Sequence, residues 1–376
     1  MLTPEGCQSR RRRLLDHLAE QKVDAVLLTH LADICYFTGK VFPGQPFLSE
    51  SSCCVVLESA GDIWAVLPDG ETFEVATDVL HYEWNQFGTL HFDQLRRLNA
   101  RFKSKLASVS GWKRVGFQAE SLPTVLARTV TERFGKVEWT NVDELLLDLQ
   151  SVKDDDEIDC LRQAVRANLG AYDAVRAAIA PGVTETEVLL AGQRGAMATA
   201  GENVYHSGDY RCGEMNGRAR VRPLQEGDIY IVDAWTYHLG YWSDLSRSFL
   251  VGSSPSEIQQ SLYDHIAGVL TRVPSFLVPG KDGREVFQAV DALIREHPAL
   301  TDKGMVHHAG HGTGVRVHGL PDLNRDRGGR LQPGNVLCVE PAGYCSEARA
   351  GVRLENMFWI RDDGVEVLSD YPLELT

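Results

Sequence analysis

Apolar and polar positions follow two different periods in the first 150 residues. Residues 13–21 place apolar side chains three or four positions apart, which is the spacing of an amphipathic helix. Short apolar runs bounded by turn residues predict buried strands at residues 24–28, 53–57, 63–67 and 115–117. Helices that alternate with buried strands are typical of an α/β domain, and this stretch carries no evident catalytic cluster.

A new helical pattern begins after residue 150. The charged stretch at residues 153–157 opens a long run of apolar side chains spaced by three or four, which places a domain boundary near residue 151. Pro181 and Gly182 end this helix, and Thr184 with Glu187 supplies the capping-box chemistry that begins the next one. Further strands are predicted at residues 336–341 and 352–360. We therefore expect two domains, residues 1–150 and 151–376, the second of mixed helix and strand.

Size and charge agree with a globular protein of two domains. The 376 residues exceed what one hydrophobic core usually supports, and 43% apolar residues are enough for two cores. The formal net charge of −14 repels phosphate backbones, which argues against nucleic acid as a partner. Because no apolar run reaches the roughly 18 residues of a membrane span, we expect no membrane partner and a cytoplasmic location.

Two further sequence features receive a structural interpretation. The basic run at residues 10–13 is interpreted as the solvated face of a first helix. Eight cysteines are scattered without a Cys-x-x-Cys pair, which indicates reduced thiols rather than a disulfide framework or a zinc ribbon. Cys338 could be imagined as a nucleophile, but its apolar neighbours favour a buried packing thiol.

Four acidic residues stand inside apolar, strand-like stretches of the second half, and one histidine lies between glycines. These candidate metal ligands are Asp233, Asp244, His311, Glu340 and Glu355. Burying an ionised carboxylate without a partner costs several kcal/mol or shifts its pKa until it is neutral. Four such carboxylates in one domain therefore require a shared cation.

The spacing of the ligands adds a geometric expectation. Asp233 is expected to end one strand and Asp244 to start the next, with residues 235–240 as the turn, so that a hairpin holds the two carboxylates side by side. Glycines on both sides of His311 allow a close backbone approach. An oxygen-rich set with one imidazole suits manganese, cobalt, zinc or iron(II). In two-metal sites such ions lower the pKa of a bound water, so the implied chemistry is hydrolysis.

Sequence motifs around these ligands carry a family resemblance. They are Gly240-Tyr241-x-Ser243-Asp244-x-Ser246-Arg247-x-Phe249, Gly310-His311-Gly312-x-Gly314, Val317-His318, Glu340-Pro341 and Gly351-x-Arg353-x-Glu355-Asn356. Together with Asp233 they resemble the pita-bread metallopeptidases, which include methionine aminopeptidase, Xaa-Pro aminopeptidase, prolidase and the related creatinase. Residues 23–39 are similar to the amino-terminal domain of creatinase and prolidase, and residues 153–185 to the linker and first helix of that branch.

The resemblance implies a fold, an assembly and a set of roles. The fold is α+β, with a pita-bread carboxy-terminal domain after a smaller α/β creatinase-like domain, and relatives in this branch are often homodimers. Two divalent ions, manganese first with cobalt, zinc or iron(II) as alternatives, would be bound by Asp233 and Asp244 on one side and by His311 and Glu340 on the other. Asp244 and Glu355 would bridge them.

The implied catalytic residues surround these ligands. Glu340 would exchange a proton with the nucleophilic water. His318 and His307 would steady the scissile carbonyl and the developing oxyanion, with spacing favouring His307 over the adjacent His308. Arg353 would orient the carboxylate ligands and the substrate.

Three departures from the family pattern affect the substrate pocket. Trp235 stands where the family has glycine and would crowd or wall the pocket, and Gly319 replaces an acidic residue. The prolyl peptidases carry a substrate-binding histidine at a position near Asn216, for which His206 is a displaced candidate. The same longer segment offers four arginines that could grip a substrate carboxylate or be solvated loop residues: Arg211, Arg218, Arg220 and Arg222.

The sequence therefore predicts a dinuclear metal-dependent hydrolase of a C–N amide bond, first of all an Xaa-Pro peptidase of the aminopeptidase or prolidase kind. One alternative is a hydrolase of a small non-peptide amide or amidine, as in the creatinase and ectoine hydrolase relatives. An alternative of another class is a binding protein on the same fold without catalysis. The expected partner is a small peptide or amide substrate.

Overall fold

The computed structural model describes residues 1–42, 53–213, 215–252 and 254–375, and the chain divides into two compact units, Met1–Leu149 and Gln150–Thr376. The helices are α1 Pro4–Glu20, α2 Leu31–Thr38, α3 Gln94–Leu106, α4 Thr124–Phe134, α5 Asp143–Ser151, α6 Asp155–Ala178, α7 Glu185–Ala200, α8 Glu257–Arg272 and α9 Gly283–Ile294. In the described residues no helix combines the length and the apolar character needed to cross a bilayer.

A six-stranded mixed sheet organises the first unit. Its strands are β1 Ala25–Leu28, β2 Cys54–Glu58, β3 Ile63–Pro68, β4 Asp78–Tyr82, β7 Arg114–Phe117 and β8 Glu138–Asn141, in the order β4-β3-β2-β1-β7-β8. The four apolar runs seen in the sequence become β1, β2, β3 and β7, which confirms those predictions. A small separate hairpin, β5 Asn85–Gln86 and β6 Thr89–Leu90, completes the strands of this unit.

The first helix differs from its prediction. It begins at Pro4, well before residue 13, because Thr3 caps it by accepting a hydrogen bond from the Gly6 N–H at 3.0 Å. Arg10 is fully buried instead of solvated, and its Nε donates to the Tyr36 carbonyl at 2.8 Å. The basic run is therefore only partly a solvated face, because the guanidiniums of Arg10 and Arg11 both donate to carbonyls at the end of α2.

Three sheets build the second unit. Strands β9 Tyr205–Cys212, β10 Ile229–His238 and β11 Tyr241–Leu250 form one sheet, with β10 in the middle. A second sheet has the order β13-β12-β14-β17-β18, from β12 Gly310–Gly312, β13 Gly319–Leu323, β14 Val336–Val339, β17 Asn356–Arg361 and β18 Gly364–Val367. Strands β15 Ala342–Cys345 and β16 Ala350–Arg353 form a separate pair. With the helices this gives the α+β class that the sequence predicts.

Helix boundaries of the second unit follow their local chemistry. The predicted capping box of α7 is confirmed, since Thr184 Oγ1 accepts from the Glu187 N–H at 3.2 Å and Glu187 Oε2 accepts from the Thr184 N–H at 2.7 Å. Helix α6 lies against the three-stranded sheet, where Asn168 Nδ2 donates to the Ala234 carbonyl at 2.8 Å. One face of that sheet is therefore covered by α6.

The predicted turn and the last predicted strand are both wrong in detail. Strand β10 continues to His238, and the turn is only Leu239 and Gly240, which both have positive φ, as a tight hairpin requires. The predicted strand at residues 352–360 is two strands that belong to different sheets, β16 and β17, separated by Leu354 and Glu355. Apolar periodicity alone does not reveal this break, because Leu354 is as buried as its neighbours.

Candidate metal centre

The β10–β11 hairpin brings the two aspartates to one face of its sheet. Asp233 pairs with Ser246 and Trp235 pairs with Asp244, so both carboxylates lie in strands, diagonally rather than directly opposite. Directly paired residues share a face, and so do residues two apart along a strand. Trp235, which is half-buried, therefore borders Asp244 on the face that carries the ligands.

The break between β16 and β17 places Glu355 against this hairpin. Its N–H donates to the Ser246 carbonyl at 3.0 Å, and the Arg353 N–H donates to Ser248 Oγ at 3.0 Å. The segment that carries Glu355 therefore runs beside β11, which holds Asp244. Glu355 is only 1% exposed.

His311 and Glu340 come from neighbouring strands of the five-stranded sheet. Gly310 and Gly312 allow those strands to approach, because a Cβ at Gly310 would lie 2.0 Å from the Cys338 carbonyl oxygen. The glycines thus serve contact between strands, whereas the sequence suggested an approach to a metal. His311 Nδ1 donates to the Gly312 carbonyl at 3.0 Å, which leaves Nε2 as an acceptor for an ion.

Several distances within the cluster fit ligands around a common ion. His311 Nε2 lies 3.7 Å from Glu340 Oε1 and 3.9 Å from Asp244 Oδ2. These separations are too long for hydrogen bonds. Two donors that each lie about 2.1 Å from one ion are roughly 3 to 4 Å apart. The structure therefore brings together His311, Glu340 and Asp244 at the spacing that coordination needs.

Three buried carboxylate oxygens have no hydrogen-bond partner in the described part of the chain. They are Asp244 Oδ1 and both side-chain oxygens of Glu355. An unsatisfied buried polar atom costs about 1 to 3 kcal/mol, and more when it is charged. A bound cation removes this penalty, so the residues present fit a site for hard divalent ions.

Burial and mutual repulsion set the protonation of these acids when no ion is bound. Burial raises the pKa of Glu340 to about 8, and Arg353 opposes this shift. Burial, followed by the charges of neighbouring acids, raises the pKa of Asp244 and of Glu355 well above the usual range. In the metal-free protein these carboxyls therefore hold protons that an ion would replace.

Arg353 is the cation that the fold itself supplies to the cluster. Its Nη1 donates to Asp233 Oδ2 and lies 3.4 Å from Glu340 Oε2. Its Nη2 donates to Tyr344 Oη and to His307 Nε2, both at 3.0 Å. Arg353 thus fixes the orientation of one ligand aspartate and connects it to His307.

Two histidines, His307 and His308, lie beside Glu340, and a third, His318, stacks on the ligand His311. His307 Nδ1 donates to the His308 carbonyl at 2.7 Å, and burial, followed by the charge of Arg353, lowers the pKa of His307 to about 3. His308 Nδ1 lies 3.5 Å from Glu340 Oε1, nearer than His307 Nδ1, which lies 3.9 Å from Oε2. Both histidines therefore reach Glu340, and spacing along the chain could not rank them. His318 is exposed and stacks on the His311 ring, with ring centroids 3.7 Å apart.

His206 does not replace the substrate-binding histidine. It pairs with Thr236, so it points to the face opposite the ligands, and it is 2% exposed. Its ring nitrogens contact Thr236 Oγ1 at 2.8 Å and Tyr210 Oη at 2.7 Å, and burial lowers its pKa to about 4. His206 is a core histidine whose two nitrogens are both used.

Asp209 is a residue of this face that the sequence analysis missed. It pairs directly with Asp233, and its Oδ2 accepts from Asn216 Nδ2 at 2.6 Å. Burial, followed by the charge of Asp233, raises its pKa. Only the register of β9 against β10 places Asp209 here, since an aspartate in a polar stretch carries no distinguishing signal. Asn216, near which the family has its histidine, thus serves to orient an acid.

The four arginines of β9 and of the segment that follows it lie in two kinds of environment. Arg220 pairs with the buried Glu185 at 2.5 Å, and Arg222 pairs with Asp228 at 2.7 Å, so both are structural. The side chains of Arg211 and Arg218 form no hydrogen bond or ion pair within the ranges that the structure describes. Arg211 is half-buried beneath Gly217, two residues from Asp209 on the same strand face.

Comparisons with known proteins agree with this architecture. Residues 159–362 match the family model of metallopeptidase family M24, and residues 10–152 match that of the creatinase/prolidase N-terminal domain. An uncharacterized peptidase of Bacillus subtilis, YqhT, is 26% identical over 94% of this chain and 95% of its own length.

Two solved structures share the fold over nearly their whole length. The prolidase of Pyrococcus horikoshii superposes with a TM-score of 0.81 at 20% identity, covering 98% of this chain and 100% of that one. The X-Pro aminopeptidase of Thermotoga maritima gives 0.79 at 22% identity, with 97% and 98% covered. At these identities the likeness shows the fold alone.

The metal-free protein should lose stability as pH rises. A carboxyl whose pKa is raised by folding contributes to stability while it is protonated. For Glu340 this contribution is lost as the pH rises from about 4.5, the ordinary pKa of a glutamate, through about 8, its raised pKa in the fold. We expect the free energy of unfolding in urea to fall between about pH 5.5 and about pH 8.5 after chelation. Manganese should restore it most at the higher pH, by about 2.7 kcal/mol at 100 times its Kd.

Glu340→Gln is the control for this pH dependence, since glutamine cannot titrate. The metal-free variant should show a shallower decline than the wild type. An equally steep decline in both proteins, or a metal-free stability that rises with pH, would contradict the protonation assigned to the cluster.

Proposed function

Since the chain belongs to metallopeptidase family M24, we propose that it is a metal-dependent peptidase that cleaves the bond between an amino acid and a following proline. The observation that supports this most is the convergence of His311, Glu340 and Asp244 with the unpartnered oxygens of Glu355. Support for the substrate comes from the prolidase and the X-Pro aminopeptidase, whose fold the chain shares almost completely.

We propose that two divalent ions bind here, manganese first. Asp233 and Asp244 would hold one ion, His311 and Glu340 the other, and Asp244 and Glu355 would be shared. Bound ions of this kind polarise the scissile carbonyl and supply a water nucleophile near neutral pH. The chain's own residues then have to hold the substrate and move protons.

Glu340 is the residue that we assign to proton transfer. It is 5% exposed and contacts two imidazoles and a guanidinium as well as the ligand His311. A carboxyl held among such groups can take a proton from the nucleophile and deliver it to the leaving nitrogen. In this proposal, His318, which is exposed beside His311, donates to the substrate carbonyl, while His307 acts through Arg353 and Tyr344.

Trp235 and Arg211 define the substrate pocket in this proposal. The indole borders Asp244 and offers a flat apolar surface for a proline ring. Among the described residues, the side chains of Arg211 and Arg218 form no hydrogen bond or ion pair, although their charges act on Asp209, and we propose that they bind a free carboxylate. A short substrate with a free carboxy terminus, as for a dipeptidase, fits this arrangement.

A small non-peptide amide remains the second candidate substrate. The observation that favours it is Asp209, which faces Asp233 with Asn216 fixing its carboxylate, near the position where prolyl peptidases carry a histidine. A carboxylate only accepts hydrogen bonds, whereas a neutral histidine can also donate one. The substrate group bound by Asp209 would therefore be an N–H donor such as an amidine.

The location that we propose is the cytoplasm. All eight cysteines are free and buried, which suits a reducing compartment. This proposal is independent of the catalytic one.

Replacing Asp244 should abolish hydrolysis without unfolding the chain. Asp244→Asn removes a shared ligand, so we expect Xaa-Pro cleavage to fall by more than about 100-fold, because even losing a group behind a ligand costs about 10- to 100-fold. The assay uses manganese-reconstituted full chain with Xaa-Pro dipeptides, Xaa-Pro tripeptides and small amides. Asp264→Asn, on the exposed face of α8, is the matched control and should keep full activity.

The substrate panel distinguishes the peptidase proposal from the small-amide proposal. If the protein hydrolyses small amides but leaves Xaa-Pro peptides uncleaved, the small-amide proposal replaces the peptidase proposal. Activity that survives both Asp244→Asn and chelation would overturn the metal-dependent mechanism.

Removing Arg211 should distinguish substrates by their carboxy terminus. We expect Arg211→Met to raise KM for an Xaa-Pro dipeptide by about 10- to 100-fold, since a hydrogen bond to a charged group contributes about 1.5 to 3 kcal/mol. The same dipeptide with an amidated terminus should be unaffected, and Arg194→Met on the exposed surface of α7 is the control. Equal increases in KM for both substrates would show that Arg211 shapes the pocket without binding the carboxylate.

We also propose a homodimer, supported by the exposed β5–β6 hairpin. The apolar side chains of the hairpin and of Phe92, two residues after it, are exposed to solvent, with Phe87 101%, Phe92 107% and Leu90 53% exposed. Each aromatic side chain removes about 150 to 250 Å² from water when covered, so we propose that a second copy of the chain covers this patch.

Replacing Phe87 and Phe92 by serine should give the mass of one chain by light scattering. Leu190→Ser in α7 should leave the dimer intact, and a dimer that survives the double substitution would exclude this hairpin.

A further inference from the structure

Cys338 lies on the ligand-bearing face of the five-stranded sheet. It pairs with His311 in β12 and with Met357 in β17, and Glu340 follows two residues later in the chain. Directly paired residues share a face, as do residues two apart along a strand. The thiol is therefore directed to the same side as His311 and Glu340, whereas apolar neighbours in the sequence suggested a packing role.

The sulfur is within coordination range of three of the ligands. Cys338 Sγ, a ring nitrogen of His311 and one carboxylate oxygen from each of Asp244 and Glu355 all lie within 4.8 Å of one another. All four residues are buried, and Cys338 is 0% exposed. Donors from β11, β12 and β14 and from the crossing between β16 and β17 thus surround one small volume.

An independent observation indicates that a ligand belongs in that volume. Asp244 Oδ1 and both carboxylate oxygens of Glu355 are buried without a hydrogen-bond partner among the described residues. Sulfur also meets the cluster from a second side, because the Asp244 N–H contacts Met357 Sδ at 3.4 Å. The thiol accordingly faces atoms that still lack a partner.

We propose that Cys338 is a sulfur donor to the metal ion bound by Asp244, His311 and Glu355. This inference rests on the metal centre of the proposed function and adds to it a donor that the five-residue set does not contain. Thiolate ligands favour zinc, cobalt and other thiophilic ions, whereas carboxylates alone suit manganese and magnesium. A sulfur contact would therefore favour zinc or cobalt at this position of the centre, in place of the manganese that the carboxylates alone suit.

Cobalt provides a direct test on the full chain. A sulfur–cobalt bond gives a charge-transfer absorption in the near ultraviolet that carboxylate and imidazole ligands do not produce. We expect this band in the cobalt-loaded wild type and its loss in Cys338→Ser. Cys345→Ser is the matched control, since Cys345 is another buried free thiol of the same unit, and it should keep the band.

Metal affinity provides a second measurement. Calorimetry should show zinc binding about 10- to 100-fold weaker in Cys338→Ser, which is the range for lost support of a ligand. Manganese binding should change much less. Equal losses for zinc and manganese would mean that the variant damages the site as a whole, and would count against a sulfur donor.

If Cys338→Ser does not fold, a measurement on the wild type still tests whether sulfur binds the metal. X-ray absorption of the zinc-loaded chain should show one sulfur scatterer at about 2.3 Å. A first shell of only nitrogen and oxygen, or cobalt binding without the charge-transfer band, would overturn the sulfur assignment and leave the hydrolase proposal intact. Failure of the wild type to bind any divalent ion would instead overturn the proposed function itself.

Discussion

The second unit depends on one electrostatic constraint, which is that several acidic groups are buried together. Asp233, Asp244, Glu340 and Glu355 are each at most 7% exposed. Burial, followed by the charges of neighbouring acids, raises the pKa of Asp244 and of Glu355, and a nearby positive charge opposes such a shift. Arg353 supplies one such charge, but it reaches Asp233 and Glu340 and leaves the oxygens of Glu355 without a partner. In the proposed metal centre, divalent ions would supply the remainder, and metal binding would then be coupled to folding.

The fold meets this constraint by interrupting regular structure where the ligands are needed. The chain leaves β16 and enters β17 within two residues, and Glu355 occupies that crossing beside β11. Gly310 permits β12 to approach β14 more closely than any side chain would allow. The ligands therefore lie on strands or directly beside strand ends, where backbone hydrogen bonds fix their positions.

Around this rigid centre, the substrate side is the part most specific to this chain. Trp235 borders Asp244, Asp209 faces Asp233, and Arg211 lies further along the same strand as Asp209. These residues combine an apolar wall with charges of both signs, which suits a small substrate with polar ends. In the proposed function, the ligand cluster would supply the chemistry, and these three positions would select the amide that binds.

The sequence by itself determined the elements with strong periodicity and the identity of the five ligand candidates, because buried acids in apolar strands contradict ordinary partitioning and so stand out. It also determined the two-domain architecture, through motifs spread over the chain. Only the tertiary structure decided where the side chains of His206, Asp209 and Cys338 lie. A register shift of one residue sends a side chain to the other face, and no local pattern reports register between strands far apart in sequence. The break at Glu355 was hidden for the same reason, since it arises from the pairing partners of β16 and β17 rather than from their own residues.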